Sequence, residues 1–489
     1  MSQFWHEERL LIDGKLVPAT GGRSYPNENP ATEEILGVAA DAAREDVLRA
    51  IAAARRAFDT SDWSTNLELR KRCLRQLQTA LEEKREEFRA MKVAEVGCPI
   101  LLTYGPQLDT PLNLFIPHML KFLDSYRFGE DLGVAEVMGM KSHRWIEREA
   151  IGVVAAITAW NFPTELNLKK LSGALAAGNT IVLKGAPSTP WSTLVLGQLI
   201  AEKTEIPPGV VNILTSAQKD IGEILTTHPD VDMVTFTGST ATGKRILACA
   251  ADSVKRVTLE LGGKSPFLVL DDADLAKTLP MAGVMICSHA GQGCAILSRL
   301  LVPRKRQAEA VEIVKATMQN LKYGDPLDRQ NLMGPVNSAA QRERIEGIIA
   351  RARADGAVLA LGGGRPKHLP KGYFLEPTLF YDVDPDSQLA QFEVFGPVLA
   401  VIPYDDEEDA IRIANHSPYG LSGGVWSADH ERARRVARRI RSGTMMVNGG
   451  IYYGPEVPFG GYRQSGLGRE NGVAGFEEYL EIKSFCEPA

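Results

Sequence analysis

Thr180-Ile181-Val182-Leu183 is an unbroken run of apolar and β-branched residues, and runs of this kind decide the fold of the chain. A strand that is buried on both faces needs such a run, whereas a strand with one wet face alternates in polarity. Comparable runs at Ile151–Thr158, Val210–Leu214, Val231–Phe236 and Val257–Leu261 are separated by segments of helical length. This alternation predicts an α/β fold in which crossover helices join the strands of a parallel sheet.

A second α/β series begins after Gly262-Gly263-Lys264. It contains an apolar strand at Pro266–Leu270, a helix from Asp274 to about Ala290 and a strand at Leu300–Val302, and further segments run to Val447. Because 489 residues exceed the length at which a single hydrophobic core keeps growing, we expect two or more domains.

Composition excludes several classes of protein. Hydrophobic residues make up 44% of the chain and charged residues 24%, as in an ordinary soluble globular protein. The net charge is −6, and the basic stretches Arg70–Arg89 and Arg432–Arg441 are interleaved with apolar residues at helical spacing, so we expect no nucleic-acid partner.

The termini and cysteines point to the reduced cytoplasm. Met1–Lys15 lacks the basic start and apolar run of a signal peptide, and no apolar segment approaches the length of a membrane span. The six cysteines form no Cys-x-x-Cys pair, so neither a metal site nor a disulfide framework is predicted.

Polar stretches follow three predicted strands, at the sheet edge where ligands of such folds bind. The first contains Asn161, whose side-chain amide suits an oxyanion but also suits an Asx turn or helix cap. The second contains Lys184, which either meets a nucleotide or lies at the surface. In the third, Gly238-Ser239-x-x-x-Gly243 fits a phosphate cradle at a helix N-terminus and equally a plain N-cap.

Two further residues are candidates for chemistry. Glu260 ends an apolar strand, where burial raises a carboxyl pKa toward that of a general base, although strand-end glutamates are usually solvated. Cys294 lies in Gly291-Gln292-Gly293-Cys294, among small residues that permit a sharp turn, and its side chain is either a nucleophile or a small buried hydrophobe.

Taken in order, these motifs closely resemble the aldehyde dehydrogenase superfamily over essentially the whole chain. The motifs that carry the resemblance are Trp160-Asn161-Phe162-Pro163, Lys184, Phe236-Thr237-Gly238-Ser239, Glu260-Leu261-Gly262-Gly263-Lys264, Gly291-Gln292-x-Cys294, Glu393-x-Phe395-Gly396-Pro397, Asn415-x-x-x-Tyr419-Gly420-Leu421 and Pro458-Phe459-Gly460-Gly461-x-x-x-Ser465-Gly466.

The resemblance implies three structural units. They are a Rossmann-like dinucleotide-binding domain (1–125 and 147–261), an α/β catalytic domain (262–477) and a small β element for bridging and oligomerisation (126–146 and 478–489). It also implies a homo-oligomer, either a homodimer or a homotetramer.

The resemblance assigns roles to individual residues. Cys294 matches the nucleophile, Asn161 the oxyanion donor and Glu260 the base that activates water. The cofactor-binding positions implied by the match are Trp160, Lys184, Gly238, Ser239, Gly243, Leu261, Glu393 and Phe395. The implied reaction is oxidation of an aldehyde to a carboxylic acid through a thiohemiacetal and a thioester on the cysteine.

Cofactor and substrate are less closely specified. Pro187 stands where many relatives have a ribose-binding Glu, so NAD is expected but NADP stays open. The tunnel positions Phe162, Leu166, Ala295, Ile296 and the loop Ile451-Tyr452-Tyr453 suggest a hydrophobic aldehyde. Glu165 breaks this pattern: it either meets a polar substrate group or, as we expect for the first turn of a helix, points to solvent.

Two alternatives remain at this point. A CoA-acylating semialdehyde dehydrogenase would pass the acyl group to a thiol, but such relatives commonly lack the base that Glu260 matches. A catalytically silent structural or binding protein on the same fold would have no need of Cys294, Glu260 and Asn161 together.

Overall fold

The computed structural model describes residues 5–451 and 453–489. The strands are β1 (Trp5–Glu7), β2 (Arg9–Ile12), β3 (Lys15–Pro18), β4 (Ser24–Glu28), β5 (Ile35–Ala40), β6 (Gly129–Val137), β7 (Met140–Ala150), β8 (Val153–Ile157), β9 (Thr180–Lys184), β10 (Val211–Leu214), β11 (Met233–Thr237), β12 (Arg256–Glu260), β13 (Ser265–Val269), β14 (Leu297–Pro303), β15 (Val358–Leu361), β16 (Thr378–Tyr381), β17 (Val398–Tyr404), β18 (Ser422–Trp426), β19 (Thr444–Val447), β20 (Gly466–Leu467) and β21 (Leu480–Pro488).

The helices are α1 (Arg44–Thr60), α2 (Leu67–Glu83), α3 (Arg85–Met91), α4 (Ile100–Thr103), α5 (Asp109–Leu123), α6 (Pro163–Ala177), α7 (Trp191–Lys203), α8 (Ile221–Thr227), α9 (Thr240–Ala250), α10 (Leu275–Cys287), α11 (Gln307–Asn320), α12 (Ala339–Ala354), α13 (Gln388–Gln391), α14 (Glu407–Asn415), α15 (His430–Arg439) and α16 (Gly472–Glu477). In the part of the chain that the structure describes, none of them is both long and apolar enough to cross a bilayer.

The predicted parallel sheet is confirmed. Its strand order is β20-β12-β11-β8-β9-β10-β2-β3, and β8 to β12 run parallel to their neighbours in this group. The chain passes from β8 through β9 to β10 on one side and then returns to place β11 on the other side of β8. The carboxyl ends of β8 and β11 therefore flank the topological switch point, where open α/β sheets bind their ligands.

A second sheet has its own hydrophobic core. Its order is β15-β16-β17-β14-β13-β18-β19, with only β15 antiparallel to its neighbour among these described strands. Side chains of residues 267–440 form one buried cluster, and those of the first sheet and its helices form another. The chain thus builds two separate α/β layers, as the sequence predicted.

A third, antiparallel sheet extends from these layers with the order β21-β7-β6. Its strands fall near the ranges 126–146 and 478–489 predicted for the bridging element. One strand does not follow the predicted division. Strand β20 lies within the range 262–477 predicted for the catalytic domain, but it pairs with β12 of the first sheet. The division into three units stays a prediction, and its residues 1–4 lie outside the described part of the chain.

Candidate active site

A cavity of about 520 Å³ lies at the switch point, and the cysteine loop forms part of its lining. The loops after β8 and β11, the end of β12 and the loop before β14 all reach it. Of the predicted site residues, the cavity is lined by Cys294, Glu260, Asn161, Trp160, Gly238, Ser239, Leu261, Glu393 and Phe395. Segments far apart in sequence therefore converge on one volume.

Left-handed backbone delivers Cys294 to the cavity. The helix predicted to run to about Ala290 ends instead at Cys287, because His289, Ala290 and Gly291 adopt φ values of 50°, 52° and 70°. A Cβ on Gly291 would lie 2.0 Å from the carbonyl oxygen of Gly396, so this position accepts only glycine without rearrangement.

The surroundings of Cys294 favour the protonated thiol over the thiolate. Burial raises the pKa of the thiol, and the carboxylates of Glu260, Glu393 and Glu165 raise it further, whereas the Lys169 ammonium lowers it. A thiolate is the reactive form of cysteine, so a nearby group has to accept the proton before the sulfur can attack.

Glu260 is suited to accept a proton. It is the last residue of β12, is 5% exposed, and neither of its carboxylate oxygens has a hydrogen-bond partner among the described residues. Burial raises the pKa of Glu260 well above 4.5, and the charge of Glu470 raises it further, while Lys169, Lys170 and Arg469 oppose the shift. The carboxyl group thus differs from the usual solvated strand-end glutamate.

Asn161 is held from both sides. Its side-chain amide donates a 3.0 Å hydrogen bond to the backbone carbonyl of Gln292, and the backbone carbonyl of Asn161 accepts a 2.9 Å bond from Gln107 Nε2. The side chain does not cap α6. Because an amide carries two N–H groups, one remains for a ligand in the cavity beside Cys294.

The Gly238–Gly243 stretch combines the two readings left open by the sequence. Ser239 is the N-cap of α9, since its hydroxyl accepts a 3.3 Å bond from the Thr242 N–H, yet Gly238 and Ser239 also line the cavity. Gly243 does not line it; a Cβ there would lie 2.5 Å from Leu261 Cδ2, so this glycine lets α9 pack closely on the chain after β12.

Glu393 and Phe395 also line the cavity. Glu393 Oε1 accepts a 3.1 Å bond from the Gly263 N–H, and burial raises the pKa of this carboxyl to about 7. The ring of Phe395 meets that of Trp160 edge to face at 5.4 Å. Arg344 donates to the Glu393 carbonyl at 2.7 Å and so fixes the segment.

Lys184 lies apart from the cavity lining. It ends β9, is 7% exposed, and its ammonium donates a 3.3 Å bond to the Gly185 carbonyl. Burial lowers the pKa of Lys184 to about 8. Pro187, three residues later, is exposed.

One expectation is wrong: Glu165 does not point to solvent. It is 6% exposed, lines the cavity and forms a 2.6 Å ion pair with Lys169, one helical turn along α6. The sequence reading missed Lys169, although glutamate four residues before lysine is a recognised pairing on a helix. Of the predicted tunnel loop, Ile451 and Tyr453 are exposed and Tyr452 lies outside the described residues.

A second buried pair was also missed. Lys170 Nζ lies 2.6 Å from Glu470 Oε1 and 2.9 Å from the Thr235 hydroxyl, and Glu470 lines the cavity. These residues are 300 positions apart in the chain, so no local pattern reveals their contact.

The chain is similar to known proteins of one family. The model of the aldehyde dehydrogenase family matches residues 16–485. A 3-succinoylsemialdehyde-pyridine dehydrogenase of a Pseudomonas species is 41% identical over 97% of this chain and 97% of its own.

Two solved structures are also similar. An aldehyde dehydrogenase of Mycobacterium tuberculosis complexed with NAD+ has a TM-score of 0.95 and 39% identity, over 99% of both chains. A mutant of aldehyde dehydrogenase C of Pseudomonas syringae, complexed with NAD+ and octanal, has a TM-score of 0.92 and 38% identity, over 98% of this chain and 96% of its own.

Proposed function

Because this chain belongs to the aldehyde dehydrogenase family, we propose that it oxidises an aldehyde to the carboxylic acid, with NAD as acceptor and Cys294 as nucleophile. The observation that carries the proposal is the convergence of Cys294, Glu260 and Asn161 on one cavity from three separate segments. A protein without this chemistry has no need of an unpaired buried carboxyl group beside a cysteine.

The lining of the cavity fits NAD. Gly238 and the N-terminal turn of α9 offer backbone N–H groups and a positive dipole end to a pyrophosphate. Glu393 and Phe395, with Trp160 and Leu261, would hold the nicotinamide ribose end. Lys184 lies outside this lining, at the end of β9 beside β8, and would meet the adenosine end. The NAD+ complexes of similar proteins support NAD over NADP. When bound, the nicotinamide accepts the hydride that leaves the substrate carbon.

In the first step the Cys294 sulfur forms a bond to the aldehyde carbon. The proton of the thiol passes to water and leaves the site, so that Glu260 stays available as the unpaired carboxylate for the second step. The aldehyde oxygen becomes an alkoxide, to which the free N–H of Asn161 donates. Loss of hydride from the same carbon leaves a thioester on Cys294.

In the second step water replaces the sulfur. Glu260 takes a proton from the water while the oxygen of the water bonds to the thioester carbon. The carbon–sulfur bond then breaks, which releases the carboxylic acid, and the proton held by Glu260 passes to the sulfur, which restores the Cys294 thiol and the Glu260 carboxylate. The raised pKa of Glu260 matches this use, since a base works best when its pKa lies near the working pH.

We propose that the substrate has an apolar body. The cavity wall near Cys294 is lined by the apolar side chains of Phe162, Leu166, Met285, Ile296 and Val457. Octanal in the complex of the Pseudomonas syringae protein supports a chain of this character.

We also propose a homo-oligomer in the cytoplasm. The sheet β21-β7-β6 exposes several apolar side chains, which an isolated subunit would leave in water: Leu132, Val134, Val137, Met140 and Ile482. The six cysteines are free thiols, the state that a reducing compartment maintains.

Incubation with octanal, with and without CoA, tests the reaction. The proposal expects NADH and octanoic acid from NAD+ in the absence of CoA, and slower turnover with NADP+. Strict dependence on CoA would show the acylating reaction instead. No NADH from a broad aldehyde panel would show a silent protein on this fold.

A further inference from the structure

A buried ion pair forms part of the otherwise apolar wall of the cavity. Glu165 and Lys169 lie one turn apart on α6, and their side chains are only 9% and 6% exposed. Burying two charges costs several kcal/mol per ion, and their mutual attraction only partly returns it. If the site needed only an apolar wall, two apolar residues at these positions would make the protein more stable.

The ammonium of Lys169 is directed by its surroundings. Three aromatic rings face it, those of Phe459 at 4.9 Å, Phe115 at 5.6 Å and Tyr453 at 6.0 Å. Glu165 is the one carboxylate in ion-pair range of it among the described residues. Because an ammonium has three N–H groups, donors remain for a group inside the cavity.

Glu165 also acts on Tyr453, a partly exposed residue of the cavity lining. Tyr453 lines the cavity together with Glu165 and is 38% exposed, and burial and the charge of Glu165 raise the pKa of its hydroxyl. The three side chains form a polar patch in the lining of the cavity that also holds Cys294, and we call it the Glu165–Lys169–Tyr453 patch.

Charge balance selects the kind of group that this patch accepts. Lys169 is neutralised by Glu165, and Lys170 by Glu470, so neither sign of charge is left over in this wall. An ionic substrate group would lose its water without gaining a counter-ion, whereas a neutral oxygen can exchange water for the N–H of Lys169.

We propose that the Glu165–Lys169–Tyr453 patch selects aldehydes that carry a neutral hydrogen-bonding oxygen, such as a hydroxyl group, on an apolar body. A plain alkyl chain displaces water from the ion pair and leaves its donors unpaired, which is the costly case. This inference rests on the proposed aldehyde oxidation and specifies its substrate class.

The test compares matched aldehydes with NAD+. For chains of six to ten carbons, kcat/KM is measured for the alkyl aldehyde and for its ω-hydroxy, ω-carboxy and ω-trimethylammonio counterparts. Wild-type protein is expected to favour the best ω-hydroxy aldehyde over its alkyl match by about 10- to 100-fold, the range for a hydrogen bond to a charged group. The gain is expected in KM, since the contact is remote from the reacting carbon.

The double variant Glu165→Gln/Lys169→Met removes both charges together and avoids leaving one of them unpaired. It is expected to bring the ratio of kcat/KM for the ω-hydroxy aldehyde to that for its alkyl match to about one. The control Glu83→Gln/Lys203→Met removes an exposed pair, whose side chains are 57% and 51% exposed, and should leave the ratio unchanged.

Each outcome of this comparison supports or contradicts the inference about the Glu165–Lys169–Tyr453 patch. A wild-type ratio near one, a preference for an ionic aldehyde, or an unchanged ratio in the Glu165→Gln/Lys169→Met variant overturns the inference and leaves the aldehyde oxidation standing. Failure to oxidise any aldehyde overturns the proposed function itself. If the double variant does not fold, the wild-type ratios still decide.

Discussion

The side-chain amide of Asn161 donates a 3.0 Å hydrogen bond to the carbonyl of Gln292, two residues before Cys294. Asn161 follows β8 of the first sheet, whereas the cysteine loop precedes β14 of the second. This bond joins the segment that holds the oxyanion donor to the loop that holds the nucleophile, and it connects the two α/β layers at the site.

Replacing Asn161 by alanine tests the donor. Loss of one preorganised donor is expected to lower kcat by about 10²- to 10³-fold. Asn331→Ala is the matched control, because it removes a comparable 3.0 Å amide-to-carbonyl bond, to Asp325, away from the cavity. Equal rates for wild-type protein and Asn161→Ala would contradict the assignment.

Glu260→Gln keeps the shape of the side chain and removes the base. Because hydride transfer precedes the step that needs water, a burst of NADH followed by feeble turnover is expected when NAD+ and octanal are mixed rapidly. Steady turnover as fast as that of the wild type would remove Glu260 from its role as base.

The raised pKa of Glu260 also predicts a pH dependence. Wild-type turnover is expected to fall with decreasing pH through an inflection well above 4.5, because only the carboxylate can take the proton from water. In Glu260→Gln the slow residual turnover should lack this inflection. An inflection at the same pH in both proteins would assign it to another group.

The free energy of unfolding should also depend on the protonation of Glu260. The folded chain holds the Glu260 proton more tightly than the unfolded chain, so the free energy of unfolding is expected to fall as pH rises from the ordinary glutamate pKa toward the raised one. Glu260→Gln should reduce this fall. Denaturant titrations of both proteins over that pH range measure it, and identical slopes would contradict the shift.

The backbone of the cysteine loop can be tested at Gly291. Gly291→Ala forces a Cβ against the Gly396 carbonyl at φ 70°, and a destabilisation of about 1–3 kcal/mol is expected, with loss of activity. Gly347→Ala is the control, because a Cβ at this exposed position in α12 meets nothing within 4 Å. It should stabilise the protein by up to about 1 kcal/mol.

Much of the fold could be predicted because strands buried on both faces leave a visible apolar run, as at Thr180–Leu183. The polar residues at strand ends followed from the same reasoning. The boundary of α10 could not, since the left-handed turn at His289 and Ala290 depends on packing around Gly291 rather than on local propensity.

The inner wall of the cavity was the part that sequence reasoning missed. The position of Glu165 in the first turn of α6 predicted a solvent-exposed side chain. Instead, Glu165 is buried in an ion pair with Lys169, whose ammonium faces the rings of Tyr453 and Phe459, two residues far along the chain. The pair Lys170 and Glu470 shows the same limit, because contacts 300 residues apart leave no local pattern.

The most direct test is to observe the acyl group on Cys294. Glu260→Gln protein, mixed with NAD+ and octanal and quenched during the burst, is expected to gain the mass of one octanoyl group on the peptide that contains Cys294. The Glu260→Gln/Cys294→Ala variant should gain nothing and form no NADH. A burst without an adduct, or an adduct that persists without Cys294, would contradict the mechanism.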